Sequence, residues 1–153
     1  MNGNTITPAA TPGRSVTWAP ARGSLAEPRN ARAQARRALS AWGLAEHSDI
    51  IEVIVSELVT NAVRHGAGQA LTRITWDARR LRVEVHDDGP GRPRRRHATV
   101  SDECGRGLAV IDGLLEPYGG SLGVEDDTRG EGKTVYVILC LAADLRSDSA
   151  SVR

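Results

Sequence analysis

Phenylalanine is missing altogether from this chain, and aromatic residues make up only 3% of it. Aliphatic side chains must therefore supply most of any core. Cysteine is scarce too: Cys104 and Cys140 stand far apart, with no CxxC or CxxH pair to suggest a zinc site. A reduced, cytosolic setting is the default for such a chain. No run approaches the ~18 apolar residues of a membrane-spanning helix. The N-terminus, MNGNTITPAATPGRS, has no basic-then-apolar secretion pattern. The expectation is a cytoplasmic protein without a membrane partner. Nor does one charge dominate: 20 basic residues face 19 acidic ones, a net charge of +1. That balance gives no support to direct nucleic-acid binding. The basic residues are nearly all arginine, with Lys133 the single lysine.

What is present suits one soluble globular domain. Hydrophobic content of 40% and charged content of 25% are ordinary values, and 153 residues are enough for a single core. Residues 1–14, rich in Thr, Pro, Asn and Gly, are expected to be a disordered lead-in, residues 15–143 the domain, and residues 144–153 a polar tail.

The most informative stretch is IEVIVSELVTNAVRHG, Ile51 to Gly66. As a helix it gathers Ile51, Val55, Leu58, Val59 and Ala62 on one arc, as a core-facing helix requires. Glu57, Asn61 and His65 recur every four residues and form a row on the same helix. At roughly 100° per residue, that row lies beside the apolar arc and not on the opposite face. A carboxylate, an amide and an imidazole at the edge of a core are costly unless each has a partner. A chance polar row at a helix boundary is the competing explanation.

Around this helix the periodicity sets out the remaining elements. Ser15 to Ala19 alternates as a short edge strand. Pro28 suits a first helical turn, and RNARAQARRALSAWGL continues the helix until Gly43 ends it, with its arginines forming a solvated face. Ser48 or Asp49 can cap the central helix, and Gly66 and Gly68 end it. ALTRITWDA and RRLRVEVHD then change to a period of two and make an antiparallel hairpin. A polar, Arg-rich loop runs from Arg92 to about Gly105. A short amphipathic helix covers Gly107 to Pro117, and the strands GSLGVEDD and KTVYVILCLA close the domain. Helix, helix, strand, strand, loop, helix, strand, strand predicts an α/β two-layer sandwich, a mixed but mainly antiparallel sheet with helices on one face.

Two glycine motifs punctuate that order. In HDDGPG, Asp87 follows a buried strand, and Gly89 and Gly91 allow a tight turn and the close approach of a planar ligand. A carboxylate there can accept from an exocyclic amine, although an Asp-Gly turn leaving a strand is common. In CGRGLAV, Gly105 and Gly107 stand just ahead of a helix whose first amides can hold phosphate. A plain glycine-rich helix start is equally common, and Val110 occupies the place of the third glycine of a dinucleotide fingerprint. GEGKT imitates a P-loop but fails the test. Asp127 stands where its first glycine is required, and Lys133 and Thr134 lead into a strand. No Ser-His-Asp, HExxH or paired His-carboxylate set is visible.

Taken together and in order, these pieces resemble the Bergerat-fold, histidine-kinase-like ATPases, the superfamily of gyrase B, heat-shock chaperone and histidine-kinase ATP domains. More narrowly, the chain looks like the stand-alone bacterial anti-sigma-factor serine kinases. SELVTNAVRHG matches that family's asparagine box, DDGPG its first glycine box, GRGL its second, and GKTV its terminal threonine strand. The likeness covers about residues 22–142. It implies ATP or ADP with Mg²⁺ as ligand: Asn61 on the metal, Glu57 as general base, and His65 in support at the helix end. It implies Asp87 as acceptor for the adenine amine with Thr134 assisting, and Gly89 and Gly91 lining the base. Gly105, Arg106 and Gly107 would face the phosphates, with Leu108 beside them at the nucleotide.

Residues 92–104 would form a lid, short and unusually rich in arginine at Arg92, Arg94, Arg95 and Arg96. A single helix ahead of the ATP module is too little for a sensor kinase's dimerisation domain. The implied function is a homodimeric regulator that phosphorylates a serine of an anti-anti-sigma protein and sequesters a sigma factor. Two alternatives stand beside it: a non-catalytic, nucleotide-dependent binding module, and a metabolic or repair ATPase of the same fold.

Overall fold

The computed structural model describes residues 13–21, 24–65, 70–88, 103–127 and 132–141. Three helices cover one face of a five-stranded sheet. In chain order the elements are β1 (Arg14–Trp18), α1 (Glu27–Ala41), α2 (Ser48–His65), β2 (Ala70–Trp76), β3 (Arg80–Asp87), α3 (Glu103–Leu115), β4 (Ser121–Asp126) and β5 (Lys133–Cys140). Short 3₁₀ turns precede α2 and follow α3. Strand order across the sheet is β1-β2-β3-β5-β4. All four pairings are antiparallel, so among the described residues the sheet is not mixed. β3 and β4 do run in the same direction, but β5 lies between them and pairs with both.

Alternation along the strands decides which face the helices cover. Thr72, Ile74 and Trp76 of β2 are buried, as are Leu81, Val83 and Val85 of β3 and Val137 and Leu139 of β5. They meet Ile51, Ile54, Val55, Leu58 and Val59 of α2, and Ile111 and Leu115 of α3, in one aliphatic core. Helix α1 joins through Ala31, Ala35, Ala38 and Leu39, a buried stripe of mostly small residues at helical spacing. Two of its four arginines reach α2: Arg36 donates to both oxygens of Glu52 at 2.8 and 2.6 Å, and Arg32 donates to Ser56 Oγ at 2.9 Å. The expected solvated arginine face is thus partly a helix-to-helix seam.

The other sheet face carries charge. Arg82 bonds Glu84 at 2.6 Å and Glu125 at 3.3 Å, and its guanidinium lies 4.2 Å from the centre of the Tyr136 ring. Tyr136 lies across Gly123, where a Cβ would collide with the ring.

Boundaries move by a few residues from the sequence expectation. β1 begins at Arg14, inside the expected lead-in, and packs Val16 and Trp18 against the core. Helix α3 begins at Glu103, four residues before the expected start.

Candidate functional site

Helix α2, the ends of β3 and β5, the middle of β4 and helix α3 enclose a cavity of about 290 Å³. Its walls are mainly aliphatic: Leu58 and Ala62 from α2, Val85 from β3, Leu108 from α3, Leu122 and Val124 from β4, and Val135 from β5. Three polar side chains interrupt that lining, namely Asn61, Asp87 and Lys133. An apolar slot with a few polar groups on its wall is the usual form of a small-molecule site.

Each polar group arrives there for a structural reason. Asn61 lies one turn after Glu57 on α2 and one turn after the buried Leu58, and it is the member of the Glu57, Asn61 and His65 row that lines the cavity among the described residues. Asp87 ends β3 on the same face as Val83 and Val85 and is only 5% exposed. A carboxylate on this wall can accept a hydrogen bond from the amine edge of a ligand. Lys133 opens β5 directly opposite Asp87 in the antiparallel register. Just before it, Gly132 presses on the end of β3. A Cβ there would stand 2.9 Å from the Asp87 carbonyl oxygen and 3.2 Å from Asp88 Cα. Gly132 therefore shapes this wall by backbone contact, and Lys133 and Thr134 lie in a strand and not at a helix start.

Glu57 faces α3. A Cβ at Gly107 would overlap Glu57 Oε2 and stand 3.4 Å from its Cδ. The second glycine motif thus meets the central helix through the candidate base. Gly105 and Gly107 do not precede the helix as expected; they lie in its first two turns. The close approach of Glu57 accounts for a glycine in a helical position where propensity argues against it.

Thr134 is not brought to the cavity. Parity along β5 turns its side chain to the opposite sheet face, where its hydroxyl lies 3.0 Å from His86 Nδ1. Lys133 takes the inward position next to Asp87. KTVYVILC is apolar on both parities, with Tyr136 and Ile138 against Val135 and Val137, so alternation alone could not say which of Lys133 and Thr134 faces in. The register with Asp87 decides it. Gly89 and Gly91 and most of the expected lid lie outside the described residues, as do the side chains of His65 and Arg106. His65 closes α2, and Arg106 falls between the two glycines early in α3. Among the described residues, no cluster of three His, Cys, Asp or Glu could hold a metal, and no helix is long and apolar enough to cross a membrane.

The chain is similar to the Erythrobacter litoralis blue-light activated histidine kinase, with 25% identity and a TM-score of 0.50 over 65% of this chain and 32% of that one. The histidine kinase domain of that protein gives 25% identity and a TM-score of 0.48, over 64% of this chain and 46% of that one. The catalytic domain of histidine kinase ThkA gives 14% identity and a TM-score of 0.49, over 83% of this chain and 97% of that one. This chain therefore spans less than half the length of that Erythrobacter kinase or of its histidine kinase domain. None of the curated proteins compared with the chain matches it. Residues 22–139 match the histidine kinase-like ATPase domain family, and with that match over most of its length the chain belongs to this family.

Proposed function

We propose that the chain is an ATP-dependent regulator that phosphorylates a serine of a partner protein, in the manner of the anti-sigma-factor kinases. One observation carries the reading. The aliphatic cavity holds Asp87 on one wall and Asn61 on another, with Glu57 one helical turn before Asn61. The aliphatic walls fit a planar base, and Asp87 fits its exocyclic amine. The Asn61 amide oxygen is a hard donor of the kind Mg²⁺ prefers. Bound there, Mg²⁺ would neutralise phosphate charge. Glu57 would accept the proton of the attacking hydroxyl. Asn61 would orient the phosphates, and Leu58, Ala62 and Val85 would keep water from the base.

Retention of a carboxylate at Glu57 supports catalysis, because nucleotide binding alone needs no base there. The partners follow from the likeness of SELVTNAVRHG to the anti-sigma kinases: an anti-anti-sigma protein as substrate and a sigma factor as captive. Homodimerisation through the edge strand β1 belongs to the same reading, since an unpaired edge invites strand addition. Light scattering that finds only monomer at tens of micromolar with nucleotide present would remove that part of it.

A non-catalytic binding module is the second reading, favoured by the packing of Glu57 against Gly107. Two variants separate the readings. Glu57→Gln preserves shape and should leave Mg-ATP affinity nearly unchanged, while phosphate transfer falls by roughly 10²–10⁴. Asn61→Ala should weaken both Mg²⁺-dependent binding and turnover. A parent protein that binds ATP but neither hydrolyses it nor transfers phosphate to any recovered partner would establish the binding module instead.

A further inference from the structure

Lys133 is the chain's single lysine, and it lines the cavity from the register position facing Asp87. Residues directly opposite in an antiparallel pair have Cβ atoms about 4.5–5.5 Å apart. Both of these side chains point to the helix-covered face, so a donor and an acceptor stand side by side at the same end of the slot. Among the described residues the Lys133 ammonium makes no hydrogen bond or ion pair, whereas on the opposite sheet face Arg73 is paired with Glu84, and Arg82 with Glu84 and Glu125. A lysine stem can cover apolar wall while its head swings toward a ligand.

We propose that Lys133 is a second reader of the base, donating a hydrogen bond to the adenine ring nitrogen N1 while Asp87 accepts from the adjacent exocyclic amine. This rests on the nucleotide-binding reading above and adds the residue that senses the ring. Adenine presents a donor (the N6 amine) and an acceptor (N1) next to each other on one edge, matching an acceptor and a donor next to each other on the protein. Asp87 alone recognises an amine and would tolerate other aminated rings. Asp87 with Lys133 requires the pair of atoms. Guanine also offers an acceptor beside a donor, O6 and N1–H, so GDP is the competitor that tests the assignment.

The experiment is calorimetric titration of the full chain with Mg-ADP, with 1-deaza-ADP (N1 replaced by C–H) and with GDP, on wild type and on Lys133→Met. Wild type should bind 1-deaza-ADP about ten- to a hundred-fold more weakly than ADP, the usual effect of one lost charge-assisted hydrogen bond. Lys133→Met should lose a similar factor for ADP and no longer distinguish the two ligands. Lys133→Gln, a neutral donor of shorter reach, should fall between and serves if the methionine variant folds poorly.

Equal binding of ADP and 1-deaza-ADP by wild type overturns the proposal without any variant. A Lys133→Met loss that is the same for both ligands also overturns it, because the ammonium then acts on the phosphates. Tighter binding of GDP than of ADP overturns the adenine assignment. In each of those cases the nucleotide-binding reading survives; failure of wild type to bind any nucleotide overturns both.

Discussion

Replacing Gly107 by alanine tests the junction between α2 and α3 with two readouts that should separate. The new Cβ would fall on Glu57 Oε2 and stand 3.4 Å from Cδ, so the carboxylate must leave its present rotamer. The obstruction is the far end of a flexible side chain, not backbone. Moving it off its preferred rotamer costs about 0.5–1.5 kcal/mol. Against this, alanine is better than glycine within a helix by about 0.8–1.0 kcal/mol. The two effects nearly offset each other, and the net change should lie within about 1 kcal/mol. For a chain of this size that is a shift of less than roughly 4 °C in melting temperature. Catalysis should not be spared. With Glu57 displaced, turnover at saturating Mg-ATP should fall toward the Glu57→Gln level, a loss of roughly 10²–10⁴. Differential scanning fluorimetry and a γ-phosphate transfer or hydrolysis assay give the two quantities. A variant that melts near the parent and turns over like it would refute the claim that Glu57 acts from its place against Gly107.

The β2–β3 hairpin yields two further predictions. Ala78 has φ of +72°, a left-handed conformation at the first central position of the turn, where a type II′ geometry favours glycine. Ala78→Gly should therefore stabilise the fold by about 1 kcal/mol, and an unchanged or lowered midpoint in chemical denaturation would contradict the strain. Asp77 Oδ1 accepts from the backbone N–H of Arg80 at 2.7 Å and of Arg79 at 3.1 Å. The Arg80 amide above all holds the Asp77 carboxyl below its usual pKa. A depressed folded-state pKa contributes stability above the unfolded value near about 3.9 that is lost as pH falls through the folded value. Asp77→Ala should be less stable than wild type at pH 7, and the two curves should converge as the pH drops below about 4. A difference that stays constant down to pH 2 would show that the turn hydrogen bonds do not depend on the charge.

Those turn residues also illustrate how far the sequence could be followed. The change from helical to two-residue periodicity after Gln69 placed β2, β3 and their short connection, because a half-covered sheet forces alternation. The same parity grouped Thr72, Ile74 and Trp76 on one face of β2 and Leu81, Val83 and Val85 on one face of β3, and these are the buried faces. Helix α2 was legible for a similar reason: its apolar arc and its polar row could be told apart by angle alone. Three features were not legible. α3 starts at Glu103, although two glycines depress its helix propensity, because tertiary contact of Gly107 with Glu57 outweighs local preference. That Thr134 faces away from the cavity was hidden because both parities of β5 are apolar, and only the pairing of Lys133 with Asp87 fixes the phase. The sheet is antiparallel throughout its described pairs because β5 inserts between β3 and β4, a long-range choice that no local pattern encodes.

The nucleotide site itself is tested most directly by one titration: Mg-ADP into wild type and into Asp87→Asn, followed by isothermal calorimetry at pH 7. Asp87 is buried on the cavity wall and can only accept when ionised, whereas an asparagine amide can face the ligand amine with a donor. Loss of one buried, charge-assisted hydrogen bond should cost about 1.5–3 kcal/mol, a weakening of roughly ten- to a hundred-fold. Circular dichroism on the same samples would establish that the variant is folded. Saturable binding by wild type, with that loss in the variant, is the predicted result. Equal affinity in the two proteins, or no binding by a folded wild type, would contradict the account.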